Sequence, residues 1–425
     1  MARARLRVAV IGGGTAGAMA AAQVAHRFPE AELIWVHDPA RPPLGVGEGT
    51  LPAFPPWLHR VTGLGFEELR ARAGVTFKLG VRFEGWGTAE PVVYHHFAGR
   101  AHAYHVSADR LVPLLAERVA ARREPRRVAA VESDGRAVRL SFDDGGELAA
   151  DLAFDARGFP PPGAPGVVTV PWVTANAALL RRGPRAPWEG GTRAIARPHG
   201  WVFAIPLAED ASYGYLFDER LSDRAEVEDD FAAFLAEEGV SAAPLRRLRF
   251  PSFRRGRFFD GALLSIGSSA SFLEPLEATA IGLAQRQVEV ATLWLEGAVE
   301  ERLGVRGRHA PEVVAAVDAE IAREVDRVAL FVAWHYAGGS VHDTPFWRRG
   351  RERWEAAAAR LEGSRLLADF RRLLAAALAI DPADLARVRD PRVVAERIAP
   401  RATGLAFGGF AEASFAQVAH GLGLA

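Results

Sequence analysis

Residues 6–18 read Leu6-Arg7-Val8-Ala9-Val10-Ile11-Gly12-Gly13-Gly14-Thr15-Ala16-Gly17-Ala18. Leu6 to Ile11 is a short apolar β run, and Ala18 to Arg27 continues as an alanine-rich helix. Between them Gly12, Gly14 and Gly17 fit G-x-G-x-x-G. In a strand–turn–helix unit these glycines permit the tight turn, the close approach of backbone to a pyrophosphate and close helix–strand packing, while the helix N-terminus faces the anion. Ala31 to Val36 reads as a second strand ending at His37-Asp38, about 20 residues past Gly17, where an acid binds a ribose hydroxyl. The motif alone is weak, but its strand–helix–strand setting predicts a Rossmann-like α/β fold. Gly12, Gly13, Gly14, Ala16, Gly17 and Asp38 are the first cofactor candidates.

Three segments further along decide the size of this unit. Leu44 to Pro52 is a second glycine-rich loop, in which Val46 and Gly47 are candidate cofactor contacts. Asp151 to Gly158 reads as a short strand ending in Asp and Gly. Ala262 to Glu277 reads as a strand, a loop carrying Gly267 and Ser268, and a new helix start. Returns this far apart describe one nucleotide-binding unit through which another domain is threaded, the layout of a large flavoprotein. The expected organisation is a discontinuous FAD domain over 1–300, with an antiparallel substrate sheet inserted at about 86–140 and 166–257. A mostly helical region follows over 301–425, with helical periodicity over Arg351 to Leu378. Arg182 to Gly191 reads as a surface loop.

Composition bounds the function. The 425 residues carry 52 Lys and Arg against 52 Asp and Glu, a formal net charge of zero, which argues against nucleic acid or an anionic membrane as a bulk-charge partner. Cysteine is absent, excluding disulfides, thiolate metal sites and a Cys nucleophile, and a cytoplasmic setting is expected. The uncharged run from Val8 to Ala22 follows three arginines and imitates a signal peptide, but its glycines disqualify it as an h-region. No metal site is expected: His95, His96, His102 and His105 cluster without spaced carboxylates or a helical His-x-x-x-His. Lysine occurs once, at Lys78. A position that keeps an amine in an arginine-dominated chain offers a proton to exchange or a nucleophilic nitrogen, which guanidinium does not supply.

Several segments together resemble the flavin-dependent tryptophan halogenase family, within the larger aromatic-hydroxylase-like flavoprotein fold. Beside the first glycine motif they are Gly45-Val46-Gly47-Glu48-Gly49-Thr50, Thr76-Phe77-Lys78-Leu79-Gly80, Tyr94-His95-His96-Phe97, Gly200-Trp201-Val202-Phe203-Ala204-Ile205-Pro206, Glu274-Pro275-Leu276-Glu277-Ala278-Thr279-Ala280, Trp334-His335-Tyr336 and Asp343-Thr344-Pro345-Phe346-Trp347. The resemblance implies a halogenase that installs chloride or bromide on an electron-rich, indole- or tryptophan-like ring. Reduced FAD from a separate flavin reductase reacts with O2 to a hydroperoxide, and halide attack on it gives hypohalous acid. Lys78 falls on the family's catalytic lysine, which hydrogen-bonds the oxidant or carries it as a haloamine. Glu277 falls on the catalytic glutamate, which orients the oxidant and takes the ring proton. Read locally, Glu277 is instead an acid in a helix's first turn behind Pro275.

The halide falls on the backbone amides of Thr279 and Ala280, where the family's common Glu-Ser-Thr-Gly has become Glu-Ala-Thr-Ala. Trp201 and Phe203 fall on the aromatic pair that walls substrate from flavin, with Phe in place of the second Trp. His95 and Phe97 fall on the residues that sandwich the indole. The family's C-terminal elements that grip free tryptophan's amino and carboxylate groups have no match, which argues against free tryptophan and for another small aromatic substrate, tethered or peptide-borne among the options. A two-component flavin monooxygenase or oxidase that uses the hydroperoxide without halide is the alternative.

Overall fold

The strand Arg7–Ile11 lies at the centre of a five-stranded sheet in a computed structural model that describes residues 5–41, 47–184, 190–241 and 246–425. Its order is Leu263–Ser265, Leu152–Asp155, Arg7–Ile11, Glu32–Val36 and Arg122–Glu124, and every pairing is parallel. Successive side chains of a strand face opposite sides, and here both sides are covered, so the run is apolar from Val8 to Ile11. Val8 and Val10 face the helix Thr15–Arg27 and the main core. Ala9 and Ile11 pack with Val138, Leu140, Phe142 and Leu148 of a three-stranded antiparallel meander over 128–150. Small alanines at 18, 20, 21 and 22 are fully or almost fully buried and let the first helix sit close to the sheet and to the helix Thr279–Leu295.

A second, seven-stranded sheet takes the order Arg246–Arg249, Ala177–Pro184, Asp210–Phe217, Gly200–Pro206, Thr192–Arg197, Gly80–Glu84 and Val92–His96. All its pairings are antiparallel except Thr192–Arg197 beside Gly80–Glu84. Against the expected insertion limits of 86–140 and 166–257, this sheet starts earlier, at Gly80, and Arg122–Glu124 pairs in the parallel sheet instead. One face, with Val202, Ala204, Tyr213 and Tyr215, packs on the helix Arg224–Glu237. The alternate residues Trp201, Phe203 and Ile205 face the main core. Arg182 and Gly183 belong to the strand Ala177–Pro184, so the loop expected from 182 starts later, and residues 185–189 lie outside the described part.

A three-stranded sheet joins the two halves of the site. Ala103–Ser107 pairs antiparallel with Gly47–Gly49 on one side and with Thr76–Lys78 on the other, which brings the second glycine loop beside Lys78. The C-terminal region is helical: Pro311–His335, Pro345–Arg360, Arg365–Leu378 and Glu412–Leu422 are its main elements. The periodic stretch 351–378 is two helices, broken where Gly363 takes φ 76°. The last helix covers Val92–His96, and Gln417 imitates a neighbouring strand there. Its Oε1 accepts from His96 N at 2.9 Å and its Nε2 donates to His96 O at 3.1 Å. Among the described residues, no helix is long and apolar enough to cross a membrane.

Candidate active site

A cavity of about 930 Å³ opens between the parallel sheet and the seven-stranded sheet. Gly12, Gly13, Gly14, Ala16, Asp38, Gly47, Gly267 and Ser268 line it, and so do Trp201, Phe203, Glu277, Thr279 and Ala280. Gly17 stands behind the turn, and Val46 lies outside the described residues. The glycines divide their work as the fingerprint requires. A Cβ on Gly12, at φ 133°, would lie 2.2 Å from Ala156 O, and one on Gly17 would lie 2.1 Å from Gly12 O. One on Gly14 would meet nothing within 4 Å. Gly12 and Gly17 therefore close the turn on the strand and helix, whereas Gly14 leaves open space before the N-terminus of the helix Thr15–Arg27. Such a turn can cradle a dinucleotide pyrophosphate, and its open space fits that of FAD.

Sequence reasoning left Glu48 out of the site. Its Oε1 accepts from Thr15 Oγ1 at 3.0 Å, and burial pushes the carboxyl up to about 7 against that hydrogen bond. Its setting between two loop glycines, facing the first helix turn, is the signal that could have found it.

Lys78 ends its strand completely buried. Its Nζ donates to Thr50 O at 3.2 Å and lies 5.3 Å from the centre of the Phe97 ring. Burial lowers the ammonium to about 8, with Glu277 pulling the other way. Gly49 is what lets the strands and turn close here: a Cβ on it would lie 2.9 Å from Ala278 Cβ and 3.6 Å from Lys78 Nζ. Gly49 and Glu277 line the flavin-sized cavity and Lys78 does not. The amine stands behind the wall.

Glu277 departs from the helix-acid reading. It has φ 62° and Ala278 has φ 58°, so both precede the helix Thr279–Leu295 in the left-handed region. This turn drives the carboxylate into the interior, where it is 3% exposed, instead of along the helix axis. There His95 Nδ1 meets Oε1 at 2.6 Å and His335 Nε2 meets the same oxygen at 3.2 Å. Burial alone would raise the carboxyl; the electrostatic pull of His95 and the hydrogen bonds from both imidazoles outweigh it and hold the group well below the usual carboxylate range. His335 Nδ1 lies 2.8 Å from Phe331 O. A carbonyl only accepts, so Nδ1 carries a hydrogen and the Nε2–Oε1 contact shares a further proton.

His95 is thus placed on Glu277, with its ring centre 6.4 Å from Phe331 and 6.1 Å from Phe410. Its Nε2 has no hydrogen-bond partner among the described residues. Phe97 is placed on Lys78. Trp201 and Phe203 sit side by side with ring centres 6.5 Å apart. Phe203 is accommodated by Gly214 on the next strand, where a Cβ would come within 2.2 Å of the ring. Thr279 is buried and Ala280 exposed, at a helix start whose first amides lack helical acceptors. His335 and Tyr336 stand out in the sequence only as part of a motif; no periodicity announces that a helix C-terminus will reach residue 277.

The chain as a whole is similar to known proteins. The Tryptophan halogenase family model matches residues 7–107 and 98–424. Tryptophan 7-halogenase RebH of Lentzea aerocolonigenes is 24% identical, with 81% of this chain and 79% of the relative covered. Tryptophan 6-halogenase SttH of Streptomyces toxytricini is 24% identical over 84% and 83%. Among solved structures, the lathipeptide tryptophan 5-halogenase MibH superposes with a TM-score of 0.78 at 23% identity, covering all of this chain and 87% of its own. BrvH, a flavin-dependent halogenase from Brevundimonas sp. BAL3, gives 0.69 at 25% identity, with 84% of each chain covered. The matched residues span both sheets and the helical C-terminal region, and the chain belongs to the tryptophan halogenase family.

Proposed function

We propose that this protein is a cytoplasmic FAD-dependent halogenase that places chloride or bromide on an electron-rich aromatic ring, served by a separate flavin reductase. The observation that carries the reading is the pairing of Lys78 with Glu277 around Gly49, where Glu277 and Gly49 line a cavity of a size for a dinucleotide and Lys78 stands behind its wall. Bound in reduced form, FAD supplies the electrons with which O2 oxidises halide to hypohalous acid. The remaining work belongs to the chain. The amides at Thr279 and Ala280 offer backbone donors to the halide, and alanine keeps the N–H that glycine would provide. Trp201 and Phe203 stand as flat walls that keep the substrate ring off the flavin.

Lys78 lies beyond that wall, so the oxidant has to travel to it. An ammonium lowered to about 8 loses its proton far more readily than an exposed lysine. The free amine either hydrogen-bonds hypohalous acid or takes its halogen, forming N–X and releasing water. When X passes to a ring carbon, the C–H bond there breaks, its electron pair restores aromaticity and the proton leaves. Glu277 is a weak base, but a protonated arene is so acidic that a weak, fixed anion suffices. With Nδ1 turned to Glu277, His95 keeps Nε2 open to a polar group of the substrate, which suits a ring such as indole, whether free, tethered or in a peptide.

The test is aerobic turnover with a flavin reductase, bromide or chloride and a panel of indoles, read by mass spectrometry. Product should scale with halide and vanish without it. Oxygenated product at the same yield with or without halide would establish the monooxygenase alternative, for which the methyl of Ala280 at the halide position is the specific argument.

A further inference from the structure

Two carboxyls stand three residues apart in Glu274-Pro275-Leu276-Glu277, and two consecutive residues, His335 and Tyr336, hold them. His335 takes Glu277. Tyr336 Oη donates to Glu274 Oε1 at 2.5 Å, and Ala175 N donates to Glu274 Oε2 at 3.0 Å. Glu274 and Tyr336 are both wholly buried. Between and after these anchors the backbone runs through Glu277 and Ala278, the only non-glycine residues with positive φ among those described. Such residues are strained and persist only where their surroundings over-determine them. The strained pair leads directly into Thr279 and Ala280. Nothing in the lysine chemistry or the cofactor cradle uses Glu274.

We propose that Glu274 is a positioning residue: fastened by Tyr336 and Ala175, it holds the left-handed turn that aims Glu277 at Lys78 and sets the Thr279 and Ala280 amides for halide. This rests on the halogenase reading. Both oxygens of the carboxyl are used as acceptors, so an apolar residue would leave a phenol O–H and an amide N–H buried without partners. The titratable groups facing Glu274 are Tyr336 and, from the helix Pro345–Arg360, Arg353, which itself faces Asp218 and Arg220. Burial raises Glu274 to about 7 against the pull of the Tyr336, Ala175 and Thr174 hydrogen bonds and of Arg353. The clamp therefore changes charge within the working range. Its ionised form adds a buried negative charge three residues before the turn that would receive an anion.

The test is steady-state halogenation by the holoenzyme with a flavin reductase, bromide and an indole, from pH 6 to 9, for wild type, Tyr336→Phe and Glu274→Gln. In wild type the KM for bromide should rise as pH passes about 7. Removing one partner of a buried hydrogen bond is worth about 1 kcal/mol, so Tyr336→Phe should raise the bromide KM roughly fivefold and lower product per flavin oxidised. The KM for the indole and the retention of FAD should stay near wild type. Glutamine keeps an acceptor for Ala175 and can donate to the phenol, so Glu274→Gln should keep the low-pH bromide KM at every pH. It also keeps the proposal falsifiable if Tyr336→Phe folds poorly. Persistence of the inflection in Glu274→Gln, or equal changes in both KM values, would overturn the positioning role alone. A wild type without halide-dependent product would overturn the halogenase reading and this proposal with it.

Discussion

The ammonium of Lys78 is weakened by burial more than by any neighbour. Desolvation takes the ammonium down to about 8, and Glu277 opposes the change. Arginine at the same place would stay charged, because a guanidinium does not deprotonate near neutral pH. Lys78→Arg and Lys78→Ala should therefore both lose halogenation while FAD stays bound and reduced flavin is still oxidised by oxygen. Full product from Lys78→Arg, measured by mass spectrometry beside a flavin-binding titration, would show that charge alone is enough. Glu277→Gln should slow substitution by about 10² to 10⁴, the usual worth of positioned proton transfer, without stopping oxidant formation. An unchanged rate would return Glu277 to a structural role. These two residues differ in how far the sequence reveals them. A single lysine among arginines is conspicuous from composition alone. Glu277 reads locally as an ordinary helix-start acid because a positive φ is normally announced by glycine, and neither Glu277 nor Ala278 carries that signal. Its two imidazole partners lie 182 and 58 residues away in sequence, beyond the reach of local spacing.

Among the elements, glycines decide how closely strands approach the site. Gly49→Ala would put a methyl 2.9 Å from Ala278 Cβ, between two backbones with little freedom to move. The expected cost is about 1–3 kcal/mol, as for other overpacked cores, with a larger loss of halogenation than of FAD binding. Thermal melting and single-turnover product analysis would separate the two effects. Gly214→Ala should act differently, because its methyl would strike the Phe203 ring 2.2 Å away and force that ring toward the cavity. Its signature would be faster FAD release, followed by flavin fluorescence, and normal affinity would show that the ring can turn elsewhere. The alternation in Gly200–Pro206 is enough to place Trp201 and Phe203 on one face of a strand. That the face looks into the cavity depends on the partner strand at 210–217 and the helix Arg224–Glu237 beyond it, which alternation does not encode.

For the molecule as a whole, the buried carboxyl at Glu274 shapes the response to pH. Its folded value of about 7 lies above the ordinary 4.5, so folding favours the neutral form. The associated stability is complete below about pH 4.5 and is lost as pH rises through 7, a swing of roughly 3 kcal/mol at about 1.4 kcal/mol per unit. Lys78, lowered to about 8, works in a later window: its folded state gains stability between about pH 8 and 10.5. Denaturant unfolding of wild type and Glu274→Gln should thus diverge between about pH 5 and 8 in the variant's favour. Parallel curves would show that Glu274 is solvated in a way its burial does not suggest. The parallel sheet is the most legible part of this architecture, since four of its five strands end in a glycine or acidic signature; Arg122–Glu124 lacks one that sets it apart from the inserted sheet. The aromatic packing of Phe331, Phe410 and Phe415 under the last helix is not legible, because helical periodicity supplies a buried face without saying what it meets.

The order in which the five parallel strands occur along the chain has a consequence for the protein's birth. Arg7–Ile11 leaves the ribosome first, yet its neighbours in the sheet are Glu32–Val36 and Leu152–Asp155, and the edge strand Leu263–Ser265 comes last. At about 5–20 residues per second, the nascent sheet waits many seconds for that edge, with apolar strands exposed meanwhile. The pair that holds the catalytic turn, His335 and Tyr336, emerges later still. A nascent chain halted before residue 335 would hold most of the nucleotide cradle and lack both anchors of the turn, so it should capture flavin before it can direct an oxidant.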